Sequence, residues 1–142
     1  MRQITHRLIL LALLLCCFGC EEVLHVDPNA KYIEAVQNMT VNFFELSTQV
    51  GESVAKMAGI EGSVHWSAFK PKEYAGNSNI TCVQASVVGA GKGKKKKTHT
   101  AVLRFLVNSD TGLMKLSSYE VDGKVKSHMD AKVDLISGVI GQ

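Results

Sequence analysis

Apolar residues recur along this chain first at spacings of three and four, and then, after Gly62, at every second position. The first pattern runs through Tyr32, Val36, Met39, Phe43, Leu46, Val50, Val54 and Met57, and Ile33, Thr40 and Phe44 widen it. That spacing places them on one face of an amphipathic helix. Asp27-Pro28 offers a capping carboxylate and a first-turn proline, and Gly59 offers a stop. The expectation is one long helix over residues 28–58. Its length would be ~46 Å at ~1.5 Å per residue. A domain of this size is about 35 Å wide, so the helix must overhang, curve or break. The stretch from Ser47 to Gly51 is the expected break.

The second pattern predicts strands. They are "SVHWSAF", "ITCVQASVV", "HTAVLRFLV" and "LMKLSSYEV". In the third, His99, Ala101, Leu103, Phe105 and Val107 share a face. Asp122-Gly123 reads as a two-residue hairpin turn with left-handed backbone. A last strand is expected to put Val125, Ser127, Met129, Ala131, Val133 and Leu135 on one side, and Lys124, Lys126, His128, Asp130, Lys132 and Asp134 on the other. The tail "SGVIGQ" is expected to fray. The fold class is therefore α+β, a long helix covering one face of a four- to five-stranded antiparallel meander. This order of elements, over residues 28–135, resembles the cystatin-like rolls and, more loosely, the nuclear-transport-factor-like cone folds. The first resemblance implies a protease-inhibiting hairpin. The second implies a small-ligand pocket between helix and sheet, for which Trp66, Phe69 and Tyr74 are candidates beside their ordinary role as core.

The first residues have a different character. Arg2 and Arg7 precede the apolar run Leu8-Ile9-Leu10-Leu11-Ala12-Leu13-Leu14-Leu15. This is an export signal, too short for a membrane span with these flanks. Its end, "LLLCCFGC", resembles a bacterial lipoprotein signal. Gly19 and Cys20 match the small residue and the acylated cysteine of that class, whereas Cys17 and Phe18 depart from its usual upstream residues. The resemblance implies lipidation of Cys20, and Glu21 after it favours the outer membrane of a Gram-negative host. Conventional cleavage after Gly19, giving a secreted protein, is the alternative. The expected organisation is a signal peptide at 1–19, a lipidated cysteine and short tether at 20–30, one domain at 31–136 and a tail at 137–142. Of four cysteines, only Cys20 and Cys82 lie outside the signal. Cys82 is then a lone buried thiol, or, in a secreted form, a disulfide partner for Cys20.

Charge sharpens this picture. The chain has 16 basic and 13 acidic residues. Setting aside Arg2, Arg7, Lys92, Lys94, Lys95, Lys96 and Lys97 leaves nine basic residues against 13 acidic ones, a net charge of about −4 on the remainder. The five lysines sit in "VVGAGKGKKKKTHT". This has the letters of a phosphate loop without its spacing. Val88 stands where the first glycine belongs, Lys95 stands where serine or threonine belongs, and the following residues alternate as a strand. The stretch is expected to be a flexible hairpin tip. It either stays solvated and discourages edge pairing, or binds an anionic surface or polymer. It lacks the aromatics that stack on bases, which counts against sequence-specific nucleic-acid recognition.

The cystatin-like resemblance extends to "QASVVGAG", where Gln84, Val87 and Gly89 approximate the family's Gln-x-Val-x-Gly hairpin with one residue too many. His25, His65, His99 and His128 show no close metal-ligand spacing, although His99 and His128 lie on expected strands and could meet. No nucleophile elbow or Cys–His pairing stands out. The sequence therefore points to a non-enzymatic, lipid-anchored envelope protein that binds an unspecified protein partner, with no cofactor or metal. A secreted cystatin-like inhibitor and a small-ligand-binding cone fold are the alternatives.

Overall fold

The segment expected to be one long helix folds instead as four short elements. They are α1 (Ala30–Gln37), β1 (Thr40–Phe43), β2 (Leu46–Gln49) and α2 (Val50–Met57). The structure is a computed structural model and describes residues 27–58, 62–90 and 98–140. The reason for the break lies between Thr40 and Gln49. Thr40, Val41, Phe43, Phe44 and Thr48 are β-branched or aromatic, and such side chains lose rotamer freedom in a helix. They pair instead as a hairpin, Thr40 opposite Gln49 and Phe43 opposite Leu46. Phe44 turns the chain at a φ of 53°. Each helix is then about 12 Å long, which removes the length conflict. The expected break at Ser47 to Gly51 falls where β2 passes into α2. A further break occurs earlier, at Asn38, which ends α1.

The later strands follow the expected pattern. β3 (Ser63–Phe69), β4 (Ile80–Ala90), β5 (Thr98–Asn108), β6 (Met114–Val121) and β7 (Lys124–Lys126) form one antiparallel sheet in sequential order. Asp122 and Gly123 take φ values of 49° and 75°, the left-handed pair that a tight hairpin turn requires. β4 and β5 pair along their whole length, from Ile80 opposite Asn108 to Ala90 opposite Thr98.

The last expected strand is corrected. β7 stops at Lys126, and His128–Ile140 forms a helix, α3. Ser127 and Asp130 start it with a reciprocal cap. The Asp130 amide donates to Ser127 Oγ at 3.1 Å, and the Ser127 amide donates to Asp130 Oδ2 at 3.1 Å. Residues four apart share a face in a strand and in a helix, so Ala131 and Leu135 fit either period. Ile136 decides between them. It is buried beside Leu135, while Met129 and Val133 are exposed. Residues 137–140, expected to fray, belong to this helix.

The three helices of the described residues share one core on one face of the sheet. Val36 of α1, Val50 and Val54 of α2, and Ala131 and Leu135 of α3 pack on Val83, Ala85, Leu103, Phe105 and Tyr119, all nearly or fully buried. Gly89 lets β4 pass close to the end of α2, because a Cβ there would lie 2.5 Å from the Ala58 carbonyl oxygen. Ser117 is an extra residue in β6: Arg104 pairs with Ser118, but Phe105 pairs with Leu116. This bulge bends the sheet at the middle of β6.

Candidate functional site

With helices on one face, the opposite face of the sheet presents side chains that no helix of the described residues covers. Strand alternation assigns it Phe69 from β3, Cys82 and Gln84 from β4, Arg104 and Leu106 from β5, and Ser118 and Glu120 from β6. The connection from β3 to β4 rises over one end of this face. It begins at the buried Pro71 and makes a short 3₁₀ turn, Lys72–Tyr74. Lys70 pins it to β4 by donating from Nζ to the Ile80 carbonyl at 3.0 Å and to Thr81 Oγ1 at 3.2 Å, and also to the Ser78 carbonyl. Asn79 ties its far end to the β5–β6 turn through Asp110 and Ser109.

Between this connection and the sheet lies a groove of about 620 Å³. Phe69 and Tyr74 line it and remain 41 % and 39 % exposed. Leu106 and the Cys82 side of β4 also line it, and Arg104 enters it from the centre of the sheet. Arg104 is held from two sides. Nε donates to Gln84 Oε1 at 2.9 Å, and Nη1 reaches Glu120 and, at 3.4 Å, Ser118 Oγ. Gln84 is steadied in turn by Ser86 Oγ at 3.1 Å. Among the described residues nothing accepts from Nη2. The result is a fixed guanidinium with spare donors beside two half-exposed rings. That arrangement suits recognition of an anionic group carried on an apolar or aromatic body.

Cys82 sits beneath this arrangement as a buried thiol. It is 3 % exposed and unpaired. Burial pushes its thiol pKa up, the nearby Arg104 charge pulls it down, and Glu73 raises it further, with burial the largest effect. The reactive thiolate is therefore disfavoured.

Among the described residues the histidines do not gather, and His25 lies outside them. His99 Nδ1 lies 2.6 Å from Asp122 Oδ2, at the β6–β7 turn. His128 Nε2 lies 3.4 Å from the carbonyl of the bulged Ser117. Among the described residues no group of His, Cys, Asp or Glu could hold a metal ion. Trp66, grouped with Phe69 and Tyr74 as a pocket candidate, faces the core on β3, so only Phe69 and Tyr74 meet in the groove.

The other candidates are placed as follows. Gln84 is the partner of Arg104, Val87 is 4 % exposed in the core, and Gly89 marks the close approach to α2. An inhibitory hairpin requires these residues at an exposed tip, whereas they lie along a strand paired on both sides. The lysines Lys92, Lys94, Lys95, Lys96 and Lys97 lie outside the described residues, as does Cys20 with the whole signal. The strands that flank the lysines are described, and β5 begins at Thr98 where a phosphate loop needs a helix. No described helix is long and apolar enough to cross a membrane. The groove itself was only half legible in the sequence. Alternation puts Cys82, Gln84, Arg104 and Leu106 on one face, but the connection that closes the groove has no periodicity to read.

Comparison with protein families, with curated proteins and with solved structures gives no match.

Proposed function

We propose that this chain is an envelope protein anchored through an acylated Cys20, acting as a non-enzymatic binding module through the outer face of its sheet. The observation that carries the binding half is Arg104, fixed by Gln84 and Glu120 beside the half-exposed Phe69 and Tyr74. An interface centred on an arginine and two aromatic rings is the composition in which binding energy concentrates. The preferred partner is a protein segment that sets an acidic group next to an apolar or aromatic one. The anchor half rests on the Gly19-Cys20 signal. Two acyl chains hold a domain stably on a membrane, and a tether of residues 20–30 keeps it close to the surface.

A photoreactive benzoylphenylalanine at Phe69 tests the binding half in cells that express the full chain. The expected result is a discrete protein adduct that disappears when Arg104 is also replaced by glutamine. The same group at Lys31, on α1, is expected to give none. No adduct from position 69, or equal adducts from both positions, contradicts the reading.

A further inference from the structure

A separate cleft opens on the other side of the molecule, where the β1–β2 hairpin, α3 and the start of β6 meet at the edge of the core. Its volume is about 430 Å³. Small-molecule sites run from ~300 to ~1,000 Å³, so it lies in the lower part of that range. Phe105 and Leu135, both buried, form its floor, and the half-buried Met39, Val41, Met114 and Leu116 form its walls. Two methionines among the walls let the cleft adapt to a flexible chain. Thr40 and Asn42 add neutral polar groups, and the ionisable side chains that α3 contributes are basic. Lys132 and His128 stand one helical turn apart on α3. None of the described residues lining the cleft is acidic. The two nearby α3 carboxylates are engaged elsewhere: Asp130 caps the helix at Ser127, and Asp134 accepts from Tyr119. Outside the lysine-rich stretch the chain is net acidic, so an apolar cleft lined by basic and neutral polar groups but no acidic one stands out as a local selection for negative charge.

We propose that this cleft binds a free single-chain fatty acid. Its hydrocarbon tail lies on Phe105, Met114 and Leu116, and its carboxylate sits between Lys132 and His128. Burial of the tail supplies affinity, and the basic mouth selects the head group. The bulge at Ser117 shapes the site, since it bends β6 where Leu116 lines the wall and offers its carbonyl to His128. The proposal does not depend on the groove around Arg104, which lies on the opposite face of the sheet.

Calorimetric titration with dodecanoate below its micelle concentration tests this. The protein is the full chain with Cys20→Ser, so that no attached acyl chain competes. The expected result is saturable binding of dodecanoate at one per chain. Dodecanol is expected to bind about fivefold or more weakly, and dodecyltrimethylammonium more weakly still. The surface double variant His128→Gln/Lys132→Gln is expected to reduce dodecanoate to the level of dodecanol. Lys124→Gln, at the start of β7, is expected to leave it unchanged. Leu116→Trp, which fills the cleft, is expected to remove binding of both. Absence of saturable dodecanoate binding overturns the proposal. So does equal binding of the cationic amphiphile, or a double variant that binds dodecanoate as tightly as the wild type.

Discussion

Removing a single oxygen at Tyr119 tests how α3 is fastened to the sheet. The ring of Tyr119 is 1 % exposed, and its hydroxyl donates to Asp134 Oδ2 at 2.5 Å. In Tyr119→Phe the ring remains and the hydrogen bond is lost. Asp134 lies on the exposed side of α3, so water can solvate its carboxylate in the variant. The cost should therefore be that of a hydrogen bond to a charged group, about 1.5 kcal/mol, without a further penalty for a stranded buried charge. For a domain of this size that lowers the melting temperature by about 5 °C or more. The pH dependence is more specific. Burial pushes the phenol pKa up, and the bond to Asp134 and the charges of Asp134 and Asp130 push it in the same direction. The unfolded chain releases this proton near pH ~10, while the folded chain keeps it. Stability from this group is thus fully present below about pH 10 and declines as the pH rises toward the folded value, by ~1.4 kcal/mol per pH unit. Urea unfolding of the wild type and Tyr119→Phe, from neutral pH to about pH 11, measures the difference. The two stabilities should converge above about pH 10. Parallel curves through that range, or a variant as stable as the wild type at neutral pH, would refute the reasoning.

Two further outcomes are expected. Leu103→Ala, at a fully buried position in the middle of β5, should cost roughly 3 kcal/mol in urea unfolding, whereas Leu113→Ala at a 69 % exposed position should stay within about 0.5. Equal effects would mean that the core is not on the face of β5 assigned here. The lysine-rich stretch should bind duplex DNA with a slope of log affinity against log salt of about −4 to −5, from five contacts at about −0.9 each. A flat salt dependence, or unchanged binding after serine replaces lysine at positions 94–97, would show that these charges face only solvent.

Much of the sheet is readable from residue order, because a strand with one buried face must alternate. Ala101, Leu103, Phe105 and Val107 do so over a long enough run to leave no ambiguity. The left-handed turn at Asp122-Gly123 is equally plain, since few residue pairs tolerate that backbone. The helices are not readable in the same way. Val36, Met39, Phe43, Leu46 and Val50 satisfy a helical spacing across a segment that contains two helix-length pieces and a hairpin. Periodicity alone is blind to the β-branched and aromatic residues between them. At the other end a local signal was present, Ser127 three residues before Asp130, and the two-residue alternation of Val125, Ser127, Met129, Ala131, Val133 and Leu135 masks it. The outer-face groove depends on how the 70–79 connection folds back over β4 and β5. Lys70 fixes that by donating to backbone carbonyls at the far end of the connection, Ser78 and Ile80, which no periodic pattern of side chains encodes. The cleft beside α3 was hidden for a related reason, since its walls come from a hairpin and a helix that were expected to be a helix and a strand.

The two regions divide the molecule by chemistry. The outer face offers a fixed guanidinium and aromatic rings on an open surface, suited to a macromolecular partner. The cleft offers an apolar floor with basic groups of α3 at its mouth, suited to a small amphiphile. The Ser117 bulge lies between them. Ser117 itself borders the groove, while its carbonyl faces His128 at the cleft. Any strain placed on β6 by one ligand therefore falls on a residue shared with the other.

The account depends most on Cys20, because a tethered module and a secreted one meet different partners. The intact mass of the mature protein, isolated from membranes of the cells that produce it, tests this directly. The account predicts a chain beginning at Cys20 and carrying the added mass of acyl groups, with the acylated species lost in Cys20→Ser. A mature chain that begins at Cys20 without acyl mass, or one that retains Met1, would contradict it.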